Sequence, residues 1–277
     1  MFERYIKTVL SDVLKTAYPN NKDVSVFNVK IIPAERKSLH GKYTFNDYTI
    51  TIFNLSRDTN FIISTAIHEL AHHVNFIINN KRNHGNEFYD CFKKLLYAGI
   101  TIGAVDYNKL RSVQDVRDIS VFEKKFGIPT VKYNKSKNTK KDLRILNVKG
   151  SYKEKDLLKT NKFYYEPISG EWYKIINNSQ LETEINKLKD VNPKIVIQNF
   201  DYYKMPINAV YYFIVDCSYE RKNLLKDRKY RYENTKFKNK WVKKVDADKF
   251  YEEERFLILN RFEYKVKNNL NFFQKKG

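Results

Sequence analysis

His68 and His72, in the run His68-Glu69-Leu70-Ala71-His72, are two imidazoles spaced to meet one metal ion from a single helix. At about 100° per residue they lie about 40° apart around the axis and one turn apart along it, so both rings reach the same point. Glu69 projects to the side of that point, where a carboxylate takes a proton from an activated water without being a ligand. His73 turns about 100° away from His72 and is expected to be structural. A catalytic zinc has three protein ligands and one open position, so a third ligand has to come from elsewhere. Four of the chain's five histidines fall in residues 61–88. Among them, His84 follows a turn-like run at residues 79–83.

These side chains need elements to hold them. The apolar residues Ile63, Ile67, Leu70, Val74 and Ile77 form a stripe roughly opposite the two histidines, which predicts a helix packed on one side and facing a cleft on the other. Ser56, Asp58 or Asn60 caps it. A second helix is expected over residues 85–98, ending at Gly99, with Phe88, Phe92, Leu95 and Leu96 inward. Upstream, Phe2, Ile6, Val9, Val13 and Ala17 mark an amphipathic first helix rather than a signal peptide. Residues 27–32 alternate as a strand that stops at Pro33, and residues 42–46 and 48–53 read as two more. Residues 107–126 read as one further helix, closed by Gly127 and Pro129. His40 reads as a surface-loop histidine.

His-Glu-Leu-Ala-His followed by His84-Gly85-Asn86-Glu87-Phe88 resembles the SprT-like, Spartan-type zinc metallopeptidases of the wider zincin group. The stretch from Gly41 to Asp58 is similar to that family's edge strand and Asn-x-Leu turn, and the likeness covers roughly residues 1–100. It implies an α+β fold, with an antiparallel sheet edge beside the metal helix, and zinc as the metal. The ligands it implies are His68, His72 and His84, with Glu69 as general base. Glu87 is the alternative third ligand, because other zincins use a carboxylate there; His84 is preferred on the HGxxF match and its place directly after the turn. In zincins the strand before the metal helix pairs with extended substrate through backbone hydrogen bonds. Tyr48, Thr49, Ile50, Thr51 and Ile52 are the candidates for that strand, with residues 42–46 as the alternative.

The remaining half differs in composition. The net charge of +20 divides into +5 for residues 1–130 (18 Lys/Arg against 13 Asp/Glu) and +15 for residues 131–277 (34 against 19), which favours polyanionic partners. Residues 132–142 contain five lysines and one acid and read as an extended linker. Beyond it the chain repeats itself. Ser151-Tyr152-Lys153-Glu154-Lys155-Asp156-Leu157-Leu158-Lys159 recurs as Ser218-Tyr219-Glu220-Arg221-Lys222-Asn223-Leu224-Leu225-Lys226. The match continues through Lys162/Lys229, Tyr165/Tyr232, Glu166/Glu233, Trp172/Trp241 and Lys174/Lys243.

The organisation expected is therefore a minimal zincin-like domain at 1–130, a basic linker at 131–142, and two small α+β repeats at 143–210 and 211–277. Each unit, by Lys159, Tyr165, Glu166, Trp172 and Tyr173 of the first copy, also resembles a small uncharacterised module of mobile-element and primase-like proteins. That module's usual glycine after the helix is Lys162 in one copy and Lys229 in the other.

The two tryptophans are expected in the cores of the repeats, since small units need large side chains to bury. Lys174, Lys243, Lys244, Lys140 and Lys141 are the candidate nucleic-acid contacts. Two distant cysteines, Cys91 and Cys217, exclude both a disulfide framework and a zinc ribbon. No apolar run approaches the roughly 20 residues that span a bilayer, the longest candidate lying at residues 209–215, so a soluble cytoplasmic protein is expected.

The sequence thus predicts a zinc endopeptidase acting on protein substrates, with DNA-associated proteins suggested by the resemblance and the basic half. Two alternatives remain: a regulatory or conflict-related peptidase that cleaves one specific protein partner, and a nucleic-acid-binding protein with a non-catalytic zinc site.

Overall fold

The computed structural model describes residues 1–112, 117–134, 142–149, 153–188, 195–198, 203, 205–217, 219–234 and 237–272. The fold is α+β, built from helices and three small sheets. Helix α1 (Phe2–Ala17) buries Phe2, Ile6, Val9, Leu10, Val13 and Ala17, the spacing of one helical face. Strands β1 (Asn28–Ile31), β2 (Gly41–Thr44) and β3 (Thr49–Ile52) form the first sheet in the order β1-β3-β2. β1 runs parallel to β3, and β2 antiparallel to it.

This order corrects the choice of substrate strand. Residues 49–52 are hydrogen-bonded on both sides, to β1 and to β2, and have no free backbone edge to offer a peptide. Tyr48 precedes them in a left-handed turn (φ 54°). The edge beside the metal helix is β2, within the alternative segment 42–46 plus Gly41.

Helix α2 (Thr59–Asn79) starts at Asp58, whose carboxylate accepts from Asn60 N–H at 2.9 Å, and stops at Asn80 in a left-handed conformation. It is buried on more than the expected stripe, since Ala66, Glu69, Ala71, His73 and Asn75 are also inside. By length and mean hydropathy (1.2) this helix would pass for a membrane span, a longer candidate than the run at residues 209–215. Yet 72% of its apolar window is buried in the protein, as in a core helix.

Helix α3 (Asn86–Ile102) runs past the expected stop. Gly99 lies inside it against Ile67, and the left-handed residue that ends it is Gly103. The single helix expected over residues 107–126 is instead α4 (Tyr107–Arg111), ending at Ser112, and α5 (Arg117–Phe126), with residues 113–116 outside the described part. Val131 packs on the core and Asn134 N–H donates to Thr101 O at 2.8 Å, so this part of the basic segment lies along the protein. Its lysine run, with Lys140 and Lys141, falls outside the described residues.

The repeats are built alike. The first comprises β4 (Leu143–Lys149), α6 (Lys155–Thr160), β5 (Tyr164–Glu166), β6 (Glu171–Asn177), α7 (Leu181–Asn186) and β7 (Ile195–Gln198). The second comprises β8 (Val210–Asp216), α8 (Lys222–Asp227), β9 (Arg231–Glu233), β10 (Lys240–Asp246), α9 (Phe250–Leu259) and β11 (Glu263–Asn268). Their sheets have matching orders, β5-β6-β4-β7 and β9-β10-β8-β11. Trp172 pairs with Val148 and Tyr165 across one sheet as Trp241 pairs with Val215 and Tyr232 across the other.

The second repeat shares one apolar core with α1, α2 and α3, while much of the first repeat's helix-covered face forms a separate small core. Glu35 ties the halves together. Its carboxylate accepts from Leu55 N–H (2.9 Å), Ser56 N–H (3.0 Å) and the Tyr211 hydroxyl (2.7 Å), which joins the turn before α2 to the second repeat.

Candidate metal centre

His68 and His72 project from consecutive turns of α2, and His84 comes from the loop that precedes Gly85, the N-cap of α3. One ring nitrogen from each lies within 4.8 Å of the others, close enough for a single metal ion. Nε2 of His68 and Nε2 of His84 are 3.1 Å apart. Phe88, fully buried in the first turn of α3, packs on all three rings, with centroids 5.1 Å from His68, 4.5 Å from His72 and 4.5 Å from His84. The Phe of the HGxxF pattern thus packs against all three imidazoles, edge-to-face with His68 and His84 and tilted against His72.

The electrostatics suit a cation. Burial first, and then the neighbouring His68 and His84 rings, push the His72 imidazole down to about 3, so it is neutral at pH 7 with lone pairs available. His72 Nδ1 is buried with no hydrogen-bond partner among the described residues, a cost that an ordered water relieves.

Glu87 does not join the cluster. It forms an ion pair with Lys81, whose hydrogen bond holds the Glu87 carboxyl below its ordinary range. Of the two candidate third ligands, the structure brings in His84.

Glu69 is 7% exposed and lines a cleft of about 500 Å³ together with His68 and His84. It packs against Gly41 of the edge strand, where a Cβ would stand 2.9 Å from both Cγ and Oε1 of Glu69. His73, as expected, is structural: fully buried, it accepts or donates at Nδ1 with the Tyr43 hydroxyl (2.9 Å) and at Nε2 meets Val24 O (3.0 Å). Since Val24 O only accepts, Nε2 carries the proton and the Tyr43 hydroxyl donates to Nδ1.

The structure adds a residue that the sequence reading set aside. His40 lines the same cleft, beside Gly41, with its Nδ1 2.8 Å from Asn54 Nδ2. Its sequence signal was its position, one residue before the edge strand.

The nucleic-acid candidates divide. Lys174 and Lys243 are committed to neutralising buried carboxylates, Glu184 and Glu253, in matching geometry in the two repeats. As nucleic-acid candidates, these two lysines therefore already have internal carboxylate partners. Lys244 is exposed on β10, and Lys140 and Lys141 lie outside the described residues. Trp172 and Trp241 are each 8% exposed and pack on Tyr165 and Tyr232, so they are core and not stacking platforms. In comparison with known proteins, no family model, no curated protein and no solved structure matches the chain.

Proposed function

We propose that the chain is a zinc-dependent endopeptidase of the SprT-like type. The observation that carries this reading is the convergence of His68, His72 and His84 next to a cleft that His68, His84 and the buried Glu69 line together with residues 38–41, the segment that leads into the edge strand β2. Three imidazole nitrogens are a donor set that zinc accepts, and the neutral form in which burial holds His72 fits it. A closed structural site has four protein ligands, and the cluster holds three among the described residues, which favours an open catalytic position.

When bound, zinc supplies Lewis acidity, making a water nucleophilic near neutral pH and polarising a carbonyl. Glu69 takes the proton of the attacking water on its carboxylate and returns it to the leaving amine. β2 lies alongside as the strand on which an extended peptide pairs by backbone hydrogen bonds, independent of its side chains.

The deciding experiment compares wild type with Glu69→Gln for zinc stoichiometry and for cleavage of casein and of itself, with and without DNA. Retained zinc with lost cleavage supports the assignment; a variant that still cleaves refutes it. Stimulation by DNA would support DNA-associated proteins as substrates. A second reading, a peptidase for one specific protein partner, is favoured by the use of Lys174 and Lys243 in internal ion pairs, which leaves the repeats fewer basic groups for phosphates.

A further inference from the structure

The cleft that Glu69, His68 and His84 line contains one more ring held by a defined hydrogen bond, His40. Asn54 is 2% exposed, and both backbone polar groups of Arg36 hold its amide: Arg36 N–H donates to Oδ1 at 2.8 Å, and Nδ2 donates to Arg36 O at 2.6 Å. Together these contacts fix which end of the amide is nitrogen. The same Nδ2 lies 2.8 Å from Nδ1 of His40. An amide nitrogen only donates, so Nδ1 has to accept, and a neutral imidazole then carries its proton on Nε2. The main chain is fixed as well, because Phe53 N–H donates to His40 O at 3.0 Å. His40 is thus a rigidly held ring of known tautomer on the wall of the cleft that contains Glu69, His68 and His84.

We propose, resting on the peptidase reading, that His40 is a further catalytic residue: its Nε2–H donates a hydrogen bond to the carbonyl oxygen of the scissile peptide and to the oxyanion that oxygen becomes. In the step it assists, the water oxygen bonds to the carbonyl carbon, the water proton passes to Glu69, and the carbonyl π pair moves onto oxygen. His40 keeps its own proton throughout. Asn54 is the positioning residue, acting through the tautomer it enforces. A ring fixed in place and in tautomer by a buried amide presents its donor in one orientation, the kind of preorganisation by which a hydrogen bond to a developing charge accelerates a reaction.

Two substitutions separate this role from a structural one. Asparagine imitates the Nδ1 side of imidazole, so His40→Asn keeps the bond to Asn54 and loses the donor. Glutamine imitates the Nε2 side, so His40→Gln keeps a donor in the cleft. The zinc-loaded full chain is assayed on a peptide substrate, with binding of a phosphinic peptide that carries the tetrahedral oxyanion measured in parallel. The expected result is that His40→Asn lowers kcat about 10²–10³-fold and weakens the phosphinic peptide comparably, with KM changed less than about threefold, while His40→Gln stays within about tenfold of wild type. Melting temperature and zinc stoichiometry are expected to hold in both variants.

Equal kcat in His40→Asn, or a loss in His40→Gln as large as in His40→Asn, overturns the assignment while leaving the peptidase reading intact. Wild type that binds zinc and cleaves nothing overturns both. Independently of activity, the ring nitrogen shifts of His40 in NMR are expected to report the Nε2–H form, and an Nδ1–H ring overturns the proposal.

Discussion

Gly41 and Glu69 touch: the edge strand passes so close to the metal helix that a Cβ at Gly41 would stand 2.9 Å from Glu69 Oε1 and 2.8 Å from Thr65 Cγ2. Real Cβ atoms do not approach that closely, so one extra methyl has to move either the strand or the carboxylate. On the proposed peptidase reading, Gly41→Ala is therefore expected to keep zinc binding by the three histidines while lowering kcat by about 10²-fold, the scale of a displaced catalytic group. Zinc titration beside a peptidase assay checks it. Equal loss of zinc and activity would mean that the whole site, and not Glu69 alone, had shifted.

The histidines make the metal-free fold acid-sensitive. Burial holds His72 down to about 3 and also lowers His73, both from an ordinary 6.5. With the folded values below the unfolded one, the unfolded chain binds more protons, so stability falls as pH drops below about 6.5 and is fully retained above it. The expected slope approaches about 1.4 kcal/mol per pH unit for each group that must stay neutral. Chelated protein melted between pH 7 and pH 4 gives the measurement, and a flat profile over that range would contradict the burial of both rings. Added zinc is expected to raise the melting temperature most at the upper end, where the ligands are unprotonated.

Two lysines stand where the backbone prefers glycine. Lys162 (φ 61°) and Lys229 (φ 67°) follow the short helices of the two repeats in the left-handed conformation, with the next residue's N–H reaching back to Leu158 O and Leu225 O. An L-residue there costs about 1–2 kcal/mol of strain, part of which glycine loses again through its freer unfolded state. Lys162→Gly and Lys229→Gly are each expected to stabilise the protein by about 1 kcal/mol. Urea unfolding of the full chain checks this, and a loss of stability in either variant would show that the lysine side chain makes a contact worth more than the strain.

The histidine pair on α2 was legible because its spacing is local. His68 and His72 need one helix, so their spacing alone pairs them, whereas the choice of His84 over Glu87 rests on the HGxxF resemblance and its place directly after the turn; the structure brings His84 to the pair. Phe88 was visible as a core residue of α3, but its role under the rings depends on how α2 and α3 pack. Sheet order could not be read the same way. Strand β3 alternates more cleanly than β2, yet the parallel pairing with β1 makes it the centre and leaves β2 at the edge. His40 escaped for a related reason: its meaning comes from Asn54, fourteen residues on, and nothing in their spacing announces the contact. The repeats showed themselves through matching residues, whereas the partners of Lys174 and Lys243 emerge only when α7 and α9 fold back over their sheets.

Lys174 and Lys243 supply the last test, because they separate folding from nucleic-acid binding. Each faces a glutamate that is buried, Glu184 at 7% and Glu253 at 2% exposure, and the pairs occupy equivalent places in the two repeats. Removing the lysine leaves a buried carboxylate short of its main counter-charge, a loss of about 3–5 kcal/mol for a fully buried pair. Here Lys187 still reaches Glu184 and Arg228 lies 3.4 Å from Glu253, so the expected cost of Lys174→Ala or Lys243→Ala is smaller, about 1–3 kcal/mol. Lys244→Ala, at an exposed site on the same strand as Lys243, is expected to leave stability within about 0.5 kcal/mol. If DNA binds to this repeat, Lys244→Ala alone should weaken it and reduce its salt dependence, by roughly one unit of slope in log K against log salt. Urea unfolding and a salt titration of DNA affinity on the three variants give the answer. Unchanged stability in Lys243→Ala with a reduced salt slope would return that lysine to the phosphate-binding role and remove it from the core.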